Sequence, residues 1–264
     1  MHVHINQAIA KLNRKNDVYV HTPDRTIDPT WWHFQEREKA FWKQKITGTD
    51  YRPDPQKEFT PFLRHWGIDT SFFKDKTVLE VGSGPFGFFA GFAQMDITCV
   101  PKNLVIVDPL MDYYQQFSLS KLIPEHAVKL QAHGENIPLP SHGFDIILTT
   151  NTLDHVKDCD QFLAEIHRLL KPKGLLLLSV HTIARFIQPF RVLLKIFDRN
   201  HPYHFSRLNV RERLLDNSFL IKREVIVRMH KENPIPNGIS TYGRVLYYVG
   251  FRIMSGLYAV AEAG

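Results

Sequence analysis

A glycine loop and two carboxylates carry the first chemical signal. Gly82-Ser83-Gly84-Pro85-Phe86-Gly87 follows the short apolar run Thr77-Val78-Leu79-Glu80-Val81. Glycines at the end of a strand let the chain turn sharply and let a ligand approach the backbone closely. Asp108 lies 21 residues beyond Gly87, closing a second apolar run, Leu104-Val105-Ile106-Val107. That is where an acid that binds ribose hydroxyls belongs. Both features suit a dinucleotide as well as other nucleoside ligands. Glu80 separates the readings. It sits inside the strand, two residues before the first glycine, and a buried carboxylate needs a partner. The ammonium of a methionine moiety supplies one, whereas a pyrophosphate is repelled.

The elements that position these residues are legible from Lys76 onward. Weaker or stronger apolar runs recur at Ala127-Val128-Lys129-Leu130, Phe144-Asp145-Ile146-Ile147-Leu148 and Gly174 to Val180. Such continuous runs suit strands covered on both faces. Phe162 to Leu170 has helical periodicity, and Lys171-Pro172-Lys173-Gly174 stops it. Strands alternating with helices predict a doubly wound, mostly parallel α/β sheet. Residues 1–65 read as an N-terminal helical extension, with a helix starting near Pro29 that carries Trp31, Phe34, Ala40, Phe41 and Trp42 toward one side. Tyr51-Arg52-Pro53-Asp54-Pro55 ends that helix, and residues 66–264 form the main domain.

Two further motifs follow at the ends of later strands: His133-Gly134-Glu135-Asn136-Ile137-Pro138-Leu139-Pro140 and Asn151-Thr152-Leu153-Asp154-His155. Together with Val78 to Gly84, Phe144-Asp145 and the helix from Phe162, they resemble class I methyltransferases that use S-adenosylmethionine, and within these the type 11 group. The resemblance covers roughly residues 70 to 182. It implies a Rossmann-like sheet of seven strands whose last strand inserts antiparallel, at Leu257 to Ala261 beside Leu220 to Val227. It implies that Glu80, Gly82, Ser83 and Gly84, with Gly87 completing the loop, hold the amino-acid end of S-adenosylmethionine. Asp108 would take the ribose hydroxyls, Pro109 and Leu110 would lie against the adenine, and Gly134 and Glu135 would border its edge. Asn151 would bring its backbone near the methionine portion. Two positions depart from the pattern. His133 stands where an acid usually reads the adenine amino group, and Phe86 stands where a small residue is common.

Methyl transfer is an in-line displacement whose activated group the cofactor carries, so the protein must align the acceptor and exclude water. A base is needed when the acceptor is a hydroxyl or a protonated nitrogen, and histidine is the usual choice. His155, His181 and His204 are the candidates, each also readable as a packing residue. His201 and His204 are too poorly spaced around Pro202 to predict a metal pair, and no metal site is expected. Residues 182–208 read as a helical cap, with an apolar stripe (Ile183, Phe186, Ile187, Phe190, Leu194, Phe197) and basic residues at Arg191, Lys195 and Arg199. Such a helix either buries its stripe on the domain or touches a membrane or lipid-linked substrate.

Bulk properties narrow the class. The net charge is +6, and the chain from Thr182 onward holds 13 Lys/Arg against 6 Asp/Glu, leaving the first 181 residues near neutral. A basic C-terminal third suits a phosphorylated acceptor or an anionic membrane surface. Nucleic acid is disfavoured, because no dedicated binding module or long basic run occurs. Two cysteines, Cys99 and Cys159, exclude a disulfide scaffold. The start lacks a signal-peptide pattern and predicts a cytoplasmic setting, with peripheral contact at the inner membrane surface open. The expected function is O-methylation of a small or lipid-linked molecule such as a sugar or glycan precursor. The rivals are an NAD(P)-dependent oxidoreductase with the same glycine loop and a non-catalytic protein that binds S-adenosylmethionine.

Overall fold

The computed structural model describes residues 2–21, 29–48, 54, 58–90, 101–184, 186, 203–228 and 254–264. In chain order the helices are α1 (His2–Ile9), α2 (Pro29–Gly48), α3 (Thr60–Trp66), α4 (Met111–Tyr114), α5 (Cys159–Leu169) and α6 (Arg207–Asp216). The strands are β1 (Asn13–Lys15), β2 (Val18–Val20), β3 (Thr77–Val81), β4 (Asn103–Val107), β5 (Val128–Gln131), β6 (Phe144–Thr150), β7 (Leu170–Ile183), β8 (Phe219–Arg228) and β9 (Met254–Ala263). They form one sheet in the order β1-β2-β5-β4-β3-β6-β7-β9-β8. The strands from β5 to β7 pair in parallel, and β9 inserts antiparallel between β7 and β8. The doubly wound α/β architecture with an antiparallel last strand is thus the one expected.

The strands are apolar on both sides because both faces are covered. On one face Leu79, Val81, Val105, Val107, Ile147 and Leu178 pack with Phe162, Leu163 and Ile166 of α5 and Ile5 and Ile9 of α1. On the other, Val78, Leu104, Ile106, Ile146 and Leu148 meet an aromatic cluster of Trp66, Phe73, Phe86, Phe88 and Phe89. By the period of two along β3, Glu80 shares this second face with Val78. Helix α5 starts where Asp158 accepts from the amides of Asp160 (2.9 Å) and Gln161 (3.0 Å), satisfying two of the orphan donors of the first turn. It ends at Leu169, and Lys173 with φ +62° lies in the irregular start of β7, where the register with β6 shifts.

The sheet is longer than the seven strands expected, because the N-terminal segment is not wholly helical. Asn16 and Asp17 both adopt positive φ, 48° and 66°. These residue types tolerate that region, and a pair of them makes the two-residue turn of a hairpin. β1 and β2 close around it, and β2 adds in parallel to β5. All three residues of β1 are exposed, so no hydrophobic alternation marked it in the sequence. Helix α2 starts at Pro29 as expected, but its covered side differs. Trp31 and Gln35 are buried, Glu38 and Trp42 half-buried, while Ala40 and Phe41 face solvent.

Of the expected cap, residues 187–202 lie outside the described residues, as do His201 and residues 229–253. Ile183 ends β7, and its amide donates to Phe205 O at 2.8 Å, which brings the segment from Tyr203 to Ser206 beside that strand end. Among the described residues, no helix is long and apolar enough to cross a membrane.

Candidate active site

Parallel registry puts the chemistry-bearing residues at one level. Val81 lies opposite Val107, and Val107 opposite Leu130. Gly82, Asp108 and the chain after β5 therefore emerge together at the C-terminal ends of the strands, where doubly wound sheets bind ligands. The loop turns on Gly82, Gly84 and Gly87, with φ of +76°, +60° and +73°. At Gly82 a Cβ would collide with the hydroxyl of Thr152. At Gly84 it would stand 3.2 Å from the ring of Trp42, and at Gly87 3.0 Å from Glu80 Oε2. The loop is a cradle that side chains would fill.

Glu80 is 1% exposed. Its Oε1 accepts from the amide of Phe88 at 2.6 Å, while Oε2 is buried with no hydrogen-bond partner. Burial, reinforced by the charge of Asp108, pushes its carboxyl up to about 8 against the Phe88 and Phe89 amides. Asp108 is also buried. Its Oδ2 accepts from Gly84 N at 2.9 Å and its Oδ1 from Leu110 N at 2.8 Å. Burial pushes it up to about 7. Burial thus pushes both carboxyls toward their neutral form. That arrangement is unstable for anions and ready for a ligand with a positive charge.

The remaining predicted residues divide. Ser83 Oγ donates to Gly84 O at 3.1 Å, stiffening the loop. Pro109 follows Asp108, and Leu110 is buried behind its own bond to it. His133 is driven down to about 4 by burial and is a neutral imidazole at physiological pH. Its ring packs against Trp31 with centroids 4.2 Å apart. Gly134 makes room for Phe162 of α5, whose ring a Cβ would strike. Glu135 uses Oε1 to accept from Lys157 N at 2.6 Å and Asp158 N at 3.3 Å, so its carboxylate braces the loop before α5. Asn151 adopts φ +51° and its amide donates to Ser179 O at 2.9 Å, turning the chain after β6.

The three histidines come from three segments. His155 Nδ1 stands 4.0 Å from Glu38 Oε2, on the side of the site under α2. His181 lies within β7 opposite Gly256, two residues short of the strand end where it was expected. His204 lies on the segment beside that end, next to Phe205. Among the described residues, no group of three His, Cys, Asp or Glu is placed to hold a metal ion.

Two features escaped the sequence reading. Thr152, between the expected Asn151 and His155, packs its hydroxyl against Gly82 and points it toward Val81 O at 3.3 Å. The second is α2, which lies across the strand ends: Trp31 touches His133, and Trp42 meets Phe86 edge-on at 6.1 Å between centroids. The aromatic residues of that helix were visible; the polar residues between them at helical spacing were the missed signal.

Comparison with known proteins agrees with this geometry. Residues 79–178 match the model of a family described as a methyltransferase domain. A probable S-adenosylmethionine-dependent methyltransferase of Mycobacterium tuberculosis is 27% identical over 139 residues, 51% of this chain and 47% of that protein. A ubiquinone/menaquinone biosynthesis C-methyltransferase of Vibrio vulnificus is 33% identical over 169 residues, 61% of each chain. The chain thus spans about half the length of the first relatives it matches, and more of the second. Among solved structures, a geranyl diphosphate C-methyltransferase from Streptomyces coelicolor, in complex with S-adenosyl-L-homocysteine, aligns with a TM-score of 0.57 at 16% identity, over 79% of this chain and 75% of that one. The [4+2]-cyclase SpnF aligns with a TM-score of 0.59 at 14% identity, over 88% and 95%. At these identities the structures establish the fold, and the cyclase among them shows that the fold does not fix the reaction. Residues 79–178 thus resemble a methyltransferase domain, and the glycine cradle and the sheet order agree with that likeness.

Proposed function

We propose that this domain binds S-adenosylmethionine and transfers its methyl group to a hydroxyl oxygen of a small or lipid-linked molecule, a sugar or glycan precursor being the favoured class. The observation that carries the cofactor is Glu80 Oε2, a buried carboxylate oxygen without a partner at the wall of a glycine cradle. An ammonium group satisfies it as the carboxyl ionises, whereas a pyrophosphate has no positive charge to favour that ionisation. Glu80 and the loop Gly82 to Gly87 would hold the amino-acid end, and Asp108 the ribose hydroxyls. Neutral His133 would offer a ring nitrogen as acceptor to the adenine amino group, beside Pro109 and Leu110.

When bound, S-adenosylmethionine would supply an electrophilic methyl group on a leaving sulfur. The chain supplies alignment, exclusion of water and a place for the hydroxyl proton. His155, facing the site beside Glu38, is the favoured base among the three histidines. A ubiquinone biosynthesis O-methyltransferase of Bartonella bacilliformis is 24% identical over 140 residues; since the Vibrio vulnificus relative is a C-methyltransferase, the choice of oxygen rests on the histidine base beside the site. The excess of Lys/Arg after Thr182 supports an acceptor that is phosphorylated or presented at an anionic surface. Isothermal titration with S-adenosylhomocysteine, with NADH in parallel, tests the reading. Micromolar binding of the first alone is expected. Binding of NADH instead would make the domain an oxidoreductase.

A further inference from the structure

Helix α2 turns one stripe toward the strand ends: Trp31, Gln35, Glu38 and Trp42, at i, i+4, i+7 and i+11. This stripe is polar where a structural helix would be apolar. Trp31 and Gln35 are 6% and 7% exposed, yet Trp31 Nε1 and Gln35 Oε1 have no hydrogen-bond partner. Buried polar atoms without partners on a face that covers a ligand site are groups that a ligand completes.

Glu38 occupies the middle of that stripe and is located by three landmarks. Its Oε1 accepts from Trp42 Nε1 at 2.8 Å, and Trp42 lies over Gly84 of the cradle. Its Oε2 stands 4.0 Å from His155 Nδ1, beyond β6. Its charge is felt by Asp108, at the end of β4. The point enclosed by the ends of β3, β4 and β6 lies between the residues assigned to the amino-acid end and those assigned to the ribose. Among the described residues, the titratable groups near Glu38 are Asp108, Tyr114, His155 and Lys45, the last held over the Trp42 ring at 4.9 Å.

Resting on the reading of the site as one for S-adenosylmethionine, we propose that Glu38 is a cofactor-binding residue that recognises the positive charge at sulfur. A fixed carboxylate in a covered site attracts a sulfonium and has no net charge to attract in the thioether left after transfer. The site therefore prefers the methyl donor to its product, which favours product release. The preference comes from a helix outside the matched domain, so it belongs to this chain's N-terminal segment.

The test is titration of the full chain and its Glu38→Gln and Glu38→Asp variants with S-adenosylmethionine and with S-adenosylhomocysteine, read by calorimetry and by tryptophan fluorescence. Gln retains the acceptor for Trp42, so the helix keeps its seat. Glu38→Gln is expected to weaken S-adenosylmethionine about tenfold while moving S-adenosylhomocysteine less than about twofold. Glu38→Asp is expected to recover most of the difference. Equal weakening of both ligands would reduce Glu38 to a structural role, and no change in either would remove it from the site; both overturn the proposal. Wild-type protein that binds neither ligand would overturn the reading of the site, and this inference with it.

Discussion

The interior of the sheet and the mouth at its strand ends are built on opposite rules. Inside, Leu79, Ile147, Leu176 and Leu178 meet Phe162 and Ile166 with no polar atom to satisfy. At the mouth, Glu80 Oε2, Gln35 Oε1 and Trp31 Nε1 are buried without partners. An unpaired buried polar group costs roughly 1–3 kcal/mol, and a folded domain is stable by only about 5–15 kcal/mol. Such groups persist where something else gains from them. Thr149 Oγ1, Ser179 Oγ and His167 Nε2 are also buried without partners within β6, β7 and α5, so the difference teaches where to look only in combination: at the mouth the unpaired atoms surround a glycine cradle.

The contrast is sharpest for paired substitutions. Phe144→Ala removes a fully buried ring at the start of β6, the end away from the mouth, and should cost about 3–5 kcal/mol of stability, lowering the melting temperature while leaving S-adenosylhomocysteine affinity of the folded protein nearly intact. Gly82→Ala should do the reverse. Its Cβ meets Thr152 at a φ of +76°, so binding should fall by at least about a hundredfold for roughly 1–3 kcal/mol of stability. If both variants lost stability and binding in proportion, the division between interior and mouth would fail.

Smaller effects sharpen the mouth itself. Asp108→Ala removes the acceptor for Gly84 N and Leu110 N. It should weaken S-adenosylhomocysteine by about 1.5–3 kcal/mol in calorimetry, the range for hydrogen bonds to a charged group. Unchanged affinity in a folded variant would remove Asp108 from the site. Glu80→Gln should weaken binding yet leave the ligand-free protein as stable or more so. The folded carboxyls of Glu80 and Asp108 are raised from 4.5 to about 8 and from 3.8 to about 7. The folded chain thus holds protons that the unfolded chain releases above about pH 4. Their contribution to stability is full below about pH 4 and is lost as pH rises to about 8. Glu80→Gln should therefore raise the melting temperature of the empty protein at pH 8 by about 2–4 °C, with little change at pH 5. A variant less stable at both values would show that Glu80 serves the fold.

Much of the interior was legible in the sequence, because dry strands announce themselves as continuous apolar runs and the glycine loop must follow one of them. Glu80 and Asp108 were legible too, since a carboxylate closing or interrupting such a run has few structural explanations. The N-terminal hairpin was not. β1 is exposed throughout, and the hairpin is specified by the turn chemistry of Asn16-Asp17 alone. The covering face of α2 was misread for a related reason. Its aromatic residues invited an apolar stripe, whereas a helix seated on a polar ligand site turns Gln35 and Glu38 inward and leaves Phe41 exposed. Glu135 illustrates a third limit: a motif does not tell what its carboxylate does, and here the amides of Lys157 and Asp158 occupy it.

The central claim is that Glu80 waits for an ammonium, and proton release on binding tests it most directly. Calorimetric titration of S-adenosylhomocysteine at pH 7, repeated in buffers of different ionisation enthalpy, counts the protons released. A carboxyl raised to about 8 is mostly protonated in the empty site and must ionise to pair with the ligand. The account predicts a net release of about one proton or more per ligand, falling by about one in Glu80→Gln. Binding without release, or with the same release in the variant, would contradict it.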